Sequence, residues 1–281
     1  MREREERYVT WARYRVGVDA LRQVIAVLGE ARIDVLPVKG IVTSHLLYDD
    51  AADRPMSDID VRVRRADFSR ALDVGRVQDW PIIEHTPRFW EGAFLLPGIM
   101  VEIESTIGPP GLCSLSVDEL LARASRKVEP FGFPHLEPEL NDHALILCIN
   151  AFKDCLYGLN PWALDDLTRI VRHSDFEADL VARRACAAGV ATAVWIVADW
   201  LARECDAEAW SEVRDRIGRT PPSPLYARAY RAATRARLSP IAGIFMTTAG
   251  GDGAQAKVRG LIMAGAGLAY GGAMRRIVGG A

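Results

Sequence analysis

The sequence predicts an α+β fold: a domain built on a mixed sheet, followed by an all-helical domain. Three observations predict it. Residues 59–63 and 98–105 alternate apolar and polar side chains with the period of two that a half-buried strand requires. Residues 5–31 and 66–77 instead carry apolar positions at helical spacing. From Leu112 onward the pattern turns to long helical segments with little strand signal. The first domain, with its leading helix, is expected to span 1–112 and the helical domain 113–281. The Pro- and aromatic-rich stretch 130–138 reads as a connector.

Composition narrows the class. A chain of 281 residues suits one large domain or two smaller ones, and 49% apolar residues supply ample core material. With 35 basic and 37 acidic residues the net charge is −2, so no global field marks a nucleic-acid binder, although local patches remain open. The five cysteines are odd in number, scattered, and form no C-x-x-C, which argues against a disulfide framework or a zinc site and fits a reducing cytoplasm. The N-terminus alternates charges and lacks the apolar centre of a signal peptide, so secretion is not expected. Residues 258–274 contain Arg259 and five glycines, fall short of a membrane span, and read as a packed or frayed terminal helix.

In chain order, the leading helix shows an apolar stripe at Val16, Ala20, Val24 and Val27/Leu28. Residues 35–38 form a first strand, where Pro37 suggests an edge. Residues 41–48 form a helix and 49–55 a polar loop. The strand 59–63 precedes the helix 66–77. Residues 80–84 and 93–96 read as a strand pair about a turn containing Pro87. In 98–105, Ile99, Val101 and Ile103 face one way and Met100, Glu102 and Glu104 the other. Helices follow at 141–157, with the stripe Leu145, Cys148, Phe152 and Leu156, and at 162–173, with Asn160 as cap and Pro161 in the first turn. Residues 179–204 read as one long apolar helix, and 221–224 break the chain before another.

The chemistry concentrates in residues 39–63. Asp58 and Asp60 alternate with Ile59 and Val61, so on a strand both carboxylates leave one face, as a metal clamp or as a solvated strand end. A hard cation such as Mg²⁺ takes oxygen ligands and commonly needs one or two carboxylates plus phosphate oxygens. Upstream, an apolar segment ends in Lys39-Gly40 and leads into a helix, where a glycine lets backbone N–H groups approach a phosphate.

These residues resemble the DNA polymerase β-like nucleotidyltransferase superfamily, most closely a group of little-characterised bacterial members. The resemblance is carried by the strand into Lys39-Gly40, a helix ending near Tyr48, Arg54-Pro55-Met56, and Asp58-Ile59-Asp60-Val61, in order and at family-like spacing. It covers the first domain well and the helices after it more weakly. It implies a polymerase β-like domain that binds Mg²⁺ or Mn²⁺ and an NTP donor such as ATP. Gly40-Ile41 replaces the wider superfamily's Gly-Gly or Gly-Ser, which leaves Thr43 and Ser44 as the local candidates for hydroxyl contacts to phosphate.

A two-metal site needs a third carboxylate on an adjacent strand, and Glu102 is the candidate, the other reading being that Glu102 and Glu104 only form a polar sheet face. In related proteins this strand reads hydrophobic-Asp-hydrophobic-His, so Glu102 stands at the aspartate and Glu104 at the histidine. Glu104 adds a ligand, alters acceptor choice or marks lost activity. Lys39 and the Gly40 N–H are expected to position the phosphates. Arg54 clamps a phosphate or pairs with a neighbouring aspartate.

On the helix 141–157, His143, Asn150 and Lys153 share roughly one face opposite the apolar stripe, which reads either as a solvated polar face or, for Lys153, as a candidate to reach the triphosphate across a cleft between that helix and the sheet. Asn150 stands where relatives place histidine, and Asp166-Leu167 resembles the family's Asp-Leu. Arg228, Arg231 and Arg235 form a basic stripe, either solvated or a meeting place for RNA or an acidic acceptor. The free cysteines are expected in the core.

The leading function is therefore nucleoside monophosphate transfer from an NTP to an unknown acceptor, with release of pyrophosphate. Antibiotic hydroxyls, RNA 3′ ends and protein or peptide side chains are the superfamily's acceptors. Two other functions compete. A metal-dependent glycosyltransferase also uses Asp-x-Asp, but normally after a longer nucleotide-binding fold. A non-catalytic nucleotide-binding or partner protein that kept the fold is the other.

Overall fold

The computed structural model describes residues 2–86, 91–109, 111–155, 161–205, 207–218, 224–235, 240–253 and 257–258. The expected turn at Pro87, the cap at Asn160 and the terminal helix beyond residue 258 lie outside them. In chain order the elements are α1 (Arg2–Glu30), β1 (Leu36–Val38), α2 (Gly40–Leu46), a 3₁₀ turn (Ala51–Asp53), β2 (Asp58–Arg62), α3 (Phe68–Val77), β3 (Ile82–Thr86), β4 (Glu91–Leu96) and β5 (Ile99–Glu104). There follow α4 (Val117–Arg123), β6 (Ser125–Lys127), β7 (His135–Glu137), α5 (Leu140–Asp154), α6 (Pro161–Ile170), α7 (Ala178–Ala187), α8 (Ala191–Glu204), α9 (Glu208–Ile217), α10 (Pro224–Arg235) and α11 (Pro240–Ala249). The fold is α+β, a mixed sheet with a helical region. The chain forms two compact units: residues 1–107, 115–147 and 172–176, and residues 108–114, 148–171 and 177–281.

The first unit is organised on a five-stranded sheet in the order β1-β2-β5-β4-β3. Strands β2 and β5 run parallel; the other neighbours are antiparallel. Pro37 sits on the edge strand β1, where a missing N–H costs least. One sheet face is apolar: Ile59, Val61, Val101, Ile103 and Phe94 are fully buried in one core with Leu21, Val24 and Leu28 of α1 and Ala71 and Leu72 of α3. The α1 stripe therefore runs through Val18, Leu21, Val24 and Leu28, and the expected Val16 is 37% exposed. A Cβ on Gly17 would lie 2.4 Å from Met56 Cε and 2.8 Å from Ile59 Cδ1, so the glycine lets α1 approach these two side chains closely without displacing them.

Residues 115–137, read from sequence as helical and then as connector, contain a capped helix and a two-stranded hairpin. Ser116 and Glu119 form a reciprocal capping box at the start of α4. β6 and β7 pair antiparallel and are three residues long each, too short to print a period on the sequence. Their loop sends Phe131 and Phe133 into the first unit's core.

The regular elements described in the second unit are all helices. The expected single helix 179–204 is two, because Gly189 adopts φ +69 between them and the N–H groups of Ala188, Gly189 and Val190 close α7 on its own carbonyls. The start of α8 is capped from a distance: the Asp252 carboxylate accepts from the N–H groups of Ala191 (2.6 Å) and Thr192 (2.9 Å) and from the Thr192 hydroxyl (2.6 Å). Trp210, wholly buried, donates its indole N–H to the Leu167 carbonyl at 2.7 Å. Cys148 and Cys155 are buried as expected, but Cys186 is exposed, and none of the five cysteines is in a disulfide. Among the described residues no helix is long and apolar enough to cross a membrane.

Candidate active site

The face of the sheet opposite the apolar core carries the ionisable groups. Because β2 and β5 are parallel and in register, Asp60 lies directly across from Glu102, and Arg62 directly across from Glu104. Asp58, at the start of β2, lies across from Met100. One ligand atom each of Asp60, Glu102 and Glu104 can be chosen so that all lie within 4.8 Å of one another, a spacing that could hold a metal ion. Asp58 is one rung further along the same face and accepts a hydrogen bond from the Ser57 hydroxyl at 3.2 Å. All four donors are hard carboxylate oxygens, which fits Mg²⁺ or Mn²⁺ and does not suit a soft metal.

Electrostatics make this face costly without a cation. Burial and then the neighbouring Asp60 and Glu104 carboxylates push the Glu102 carboxyl up to about 7. Burial and then Asp60 also raise the Asp58 carboxyl above its usual range. Lys39 answers part of this charge, with its Nζ 2.5 Å from Asp60 Oδ1. Burial alone would lower the Lys39 pKa, but Asp60 and Glu104 outweigh burial, so the ammonium stays charged.

Lys39 reaches Asp60 from an unusual backbone. It caps α2 with φ 54 and ψ −133, a region that costs a side-chain-bearing residue about 1–3 kcal/mol. Its main-chain N–H donates to His143 Nε2 at 3.2 Å. His143 is wholly buried on α5, so it does not lie on a solvated polar face as its spacing with Asn150 and Lys153 suggested. Burial, helped by His45, lowers its pKa to about 3, so the ring is neutral, accepts at Nε2 and carries its proton on Nδ1, which has no partner among the described residues.

Gly40 opens α2 beneath Arg54: a Cβ there would lie 3.4 Å from Arg54 Nη1, in ordinary contact. Arg54 donates to the Pro55 carbonyl at 2.5 Å, and its charge helps hold Asp58 ionised. The expectation that Thr43 and Ser44 offer hydroxyls to a phosphate does not hold. Both are fully buried and donate one turn back, Thr43 to the Lys39 carbonyl at 2.7 Å and Ser44 to the Gly40 carbonyl at 2.6 Å.

Lys153 and Asn150 belong to the second unit, where Lys153 pairs with Asp154 at 3.3 Å and Asn150 donates to Asp154 at 2.8 Å. Asp166 is buried in the same unit. Of the basic stripe, Arg231 is paired with the buried Asp199 at 3.1 Å and Arg228 is exposed; the Arg235 side chain is outside the described residues. Asp199 also accepts from Arg203 at 2.9 Å and Arg214 at 3.4 Å, so it ties α8, α9 and α10 together. Sequence reasoning missed Arg62. The period of two that placed Asp58 and Asp60 on one face places Arg62 there as well.

An α+β domain with carboxylates on adjacent parallel strands, beside a Lys-Gly turn, matches what the sequence resemblance implies. The chain belongs to the uncharacterised nucleotidyltransferase family, whose profile matches residues 4–205, from α1 through α8. Comparison with curated proteins gives no match.

Proposed function

We propose that the protein transfers a nucleoside monophosphate from an NTP to an acceptor hydroxyl or phosphate and releases pyrophosphate. The observation that carries this reading is the Asp60–Glu102 rung with Lys39 Nζ against Asp60. It is supported by membership of a nucleotidyltransferase family.

Asp58, Asp60 and Glu102 would hold Mg²⁺ or Mn²⁺, which when bound supplies positive charge against the triphosphate and lowers the acceptor's pKa. Asp60 and Glu102 face each other across one rung and would bind together; Asp58 would complete the set from the strand end. Lys39, tethered by its backbone and 15% exposed at its side chain, can exchange Asp60 for a phosphate oxygen. Arg54, beside the Gly40 turn, supplies a second cation for phosphate. In the reaction the acceptor oxygen bonds to the α-phosphorus, the bond from that phosphorus to the bridging oxygen breaks, and pyrophosphate leaves. Glu102, as a ligand of the metal ion, would help lower the acceptor's pKa.

The test is mass spectrometry of the purified protein with Mg²⁺, each of the four NTPs, and an acceptor panel that includes the protein itself and bulk tRNA. A mass gain of one nucleoside monophosphate on any acceptor is expected. Absence of transfer with every NTP, together with no nucleotide-induced thermal shift, would favour a non-catalytic protein that has kept the fold.

A further inference from the structure

The carboxylates of the acidic face are not equivalent, because two of them already have cations of very different freedom. Arg62 leaves β2 on the same face as Asp60, two residues on, and its side chain is 1% exposed. A guanidinium so far from water needs a counter-charge held in place, since a buried unpaired charge is strongly unfavourable. Its Nη2 is ion-paired with Glu104, and its Nη1 donates to the Val61 carbonyl at 3.3 Å. Its Nε has no partner among the described residues, so Glu104 supplies the charge on which this guanidinium depends. Lys39, the cation on Asp60, has a 15% exposed side chain and a long flexible stem, and can turn to another anion. Asp60 can therefore be released to a metal ion, whereas Glu104 cannot leave Arg62 without stranding a buried charge.

The face thus has two kinds of rung. The Asp60–Glu102 rung pairs two carboxyl groups, and the Arg62–Glu104 rung pairs a carboxylate with its own cation. Distance alone would admit Glu104 to a metal site, for its carboxylate lies within 4.8 Å of the other two. Its charge partner argues otherwise. We propose that Glu104 is the counter-ion of Arg62 rather than a metal ligand, and that this pair is a positioning device behind the site that leaves Asp58, Asp60 and Glu102 as the cation-binding set. The proposal rests on the metal-dependent reading above.

The two roles predict different responses to removing Arg62 once Glu104 has lost its charge. If Glu104 serves Arg62, E104Q exposes the site to an uncompensated cation and weakens Mn²⁺ binding about tenfold. R62M frees an anion and tightens binding, and R62M/E104Q returns to within about threefold of wild type. Mn²⁺ binding to the full chain, followed by electron paramagnetic resonance, reads this pattern directly. A double variant that stays as weak as E104Q would mean that Glu104 is itself a ligand and would overturn the proposal.

Thermal unfolding of the same four proteins gives a second readout that needs no metal. The expected losses in Tm are non-additive, with the double variant recovering much of the loss caused by either single change. Additive losses would overturn the pairing. D60N serves as the control for the metal reading: wild type and D60N binding Mn²⁺ equally weakly would sink that reading, while the unfolding cycle would still decide whether Glu104 serves Arg62.

Discussion

Lys39 is held in a positive-φ conformation while its main-chain N–H donates to Nε2 of the buried His143, 3.2 Å away. Residues far apart in sequence thus fix the turn from which the Lys39 side chain meets Asp60. Replacing His143 by Ala leaves that N–H without its acceptor and should cost about 1–3 kcal/mol. H143Q keeps an acceptor and should recover part of the loss. Urea unfolding reads the stability, and nucleotide titration by thermal shift should show weaker NTP binding in H143A than in H143Q. Equal nucleotide binding in both would mean that the bond supports the fold alone.

Burial of Glu102 and of His143 gives a pH signature with two opposing limbs. The Glu102 pKa is raised from 4.5 to about 7 in the folded protein, so the folded state binds the extra proton and stability falls as pH rises through that window. The His143 pKa is lowered from 6.5 to about 3, so here the unfolded state binds the extra proton and stability falls as pH drops below about 6.5. Thermal unfolding between these pH values should therefore separate by variant. Relative to wild type, E102Q should gain stability as pH rises toward 7 and H143Q should gain it as pH falls. Parallel pH profiles for all three proteins would contradict both assignments.

Exchanging Asp58 and Asp60 for Asn keeps shape and removes two negative charges. The double variant should stay folded, because it relieves repulsion on Glu102 and the amide oxygen introduced by D60N can still accept from Lys39. Mg²⁺ with NTP should stabilise the wild type by about 2.7 kcal/mol at a hundredfold excess over Kd, and the variant hardly at all. Nucleotidyl transfer should be lost with the thermal shift. Full transfer activity in the variant would refute the role given to these carboxylates.

Packing under the sheet predicts a sharp contrast between two glycines. A Cβ on Gly75 would lie 2.6 Å from the ring of Phe94, which is fully buried. G75A should lose about 1–3 kcal/mol to overpacking, against a helix-propensity gain of at most about 1 kcal/mol. At Gly29 on α1 nothing lies within 4 Å, so G29A should be neutral or stabilising by up to about 1 kcal/mol. Paired urea melts of the two variants check this.

The distant cap on α8 should matter as much as a local one. D252A removes the acceptor for two backbone N–H groups and the Thr192 hydroxyl and should cost about 1–2 kcal/mol. D252N should cost less. Denaturant unfolding followed by tryptophan fluorescence measures both.

Local pattern by itself determined a good part of this protein. The period of two on 59–63 and 98–105 set which side chains share a face, and so separated Ile59, Val61, Val101 and Ile103 from Asp60, Glu102 and Glu104. The Lys39-Gly40 turn and the Arg54-Pro55-Met56 block pointed to the family, because such a motif is contiguous in sequence. Tertiary structure alone decided what those groups meet. Register between β2 and β5 set Asp60 opposite Glu102 and Arg62 opposite Glu104, and no strand encodes its partner's register in its own alternation. Contact across the fold gave Lys39 its His143 acceptor and buried Thr43 and Ser44 against their own helix. The break at Gly189 and the three-residue strands β6 and β7 escaped pattern reading for a related reason: each is decided by a few backbone hydrogen bonds rather than by a repeat long enough to be seen.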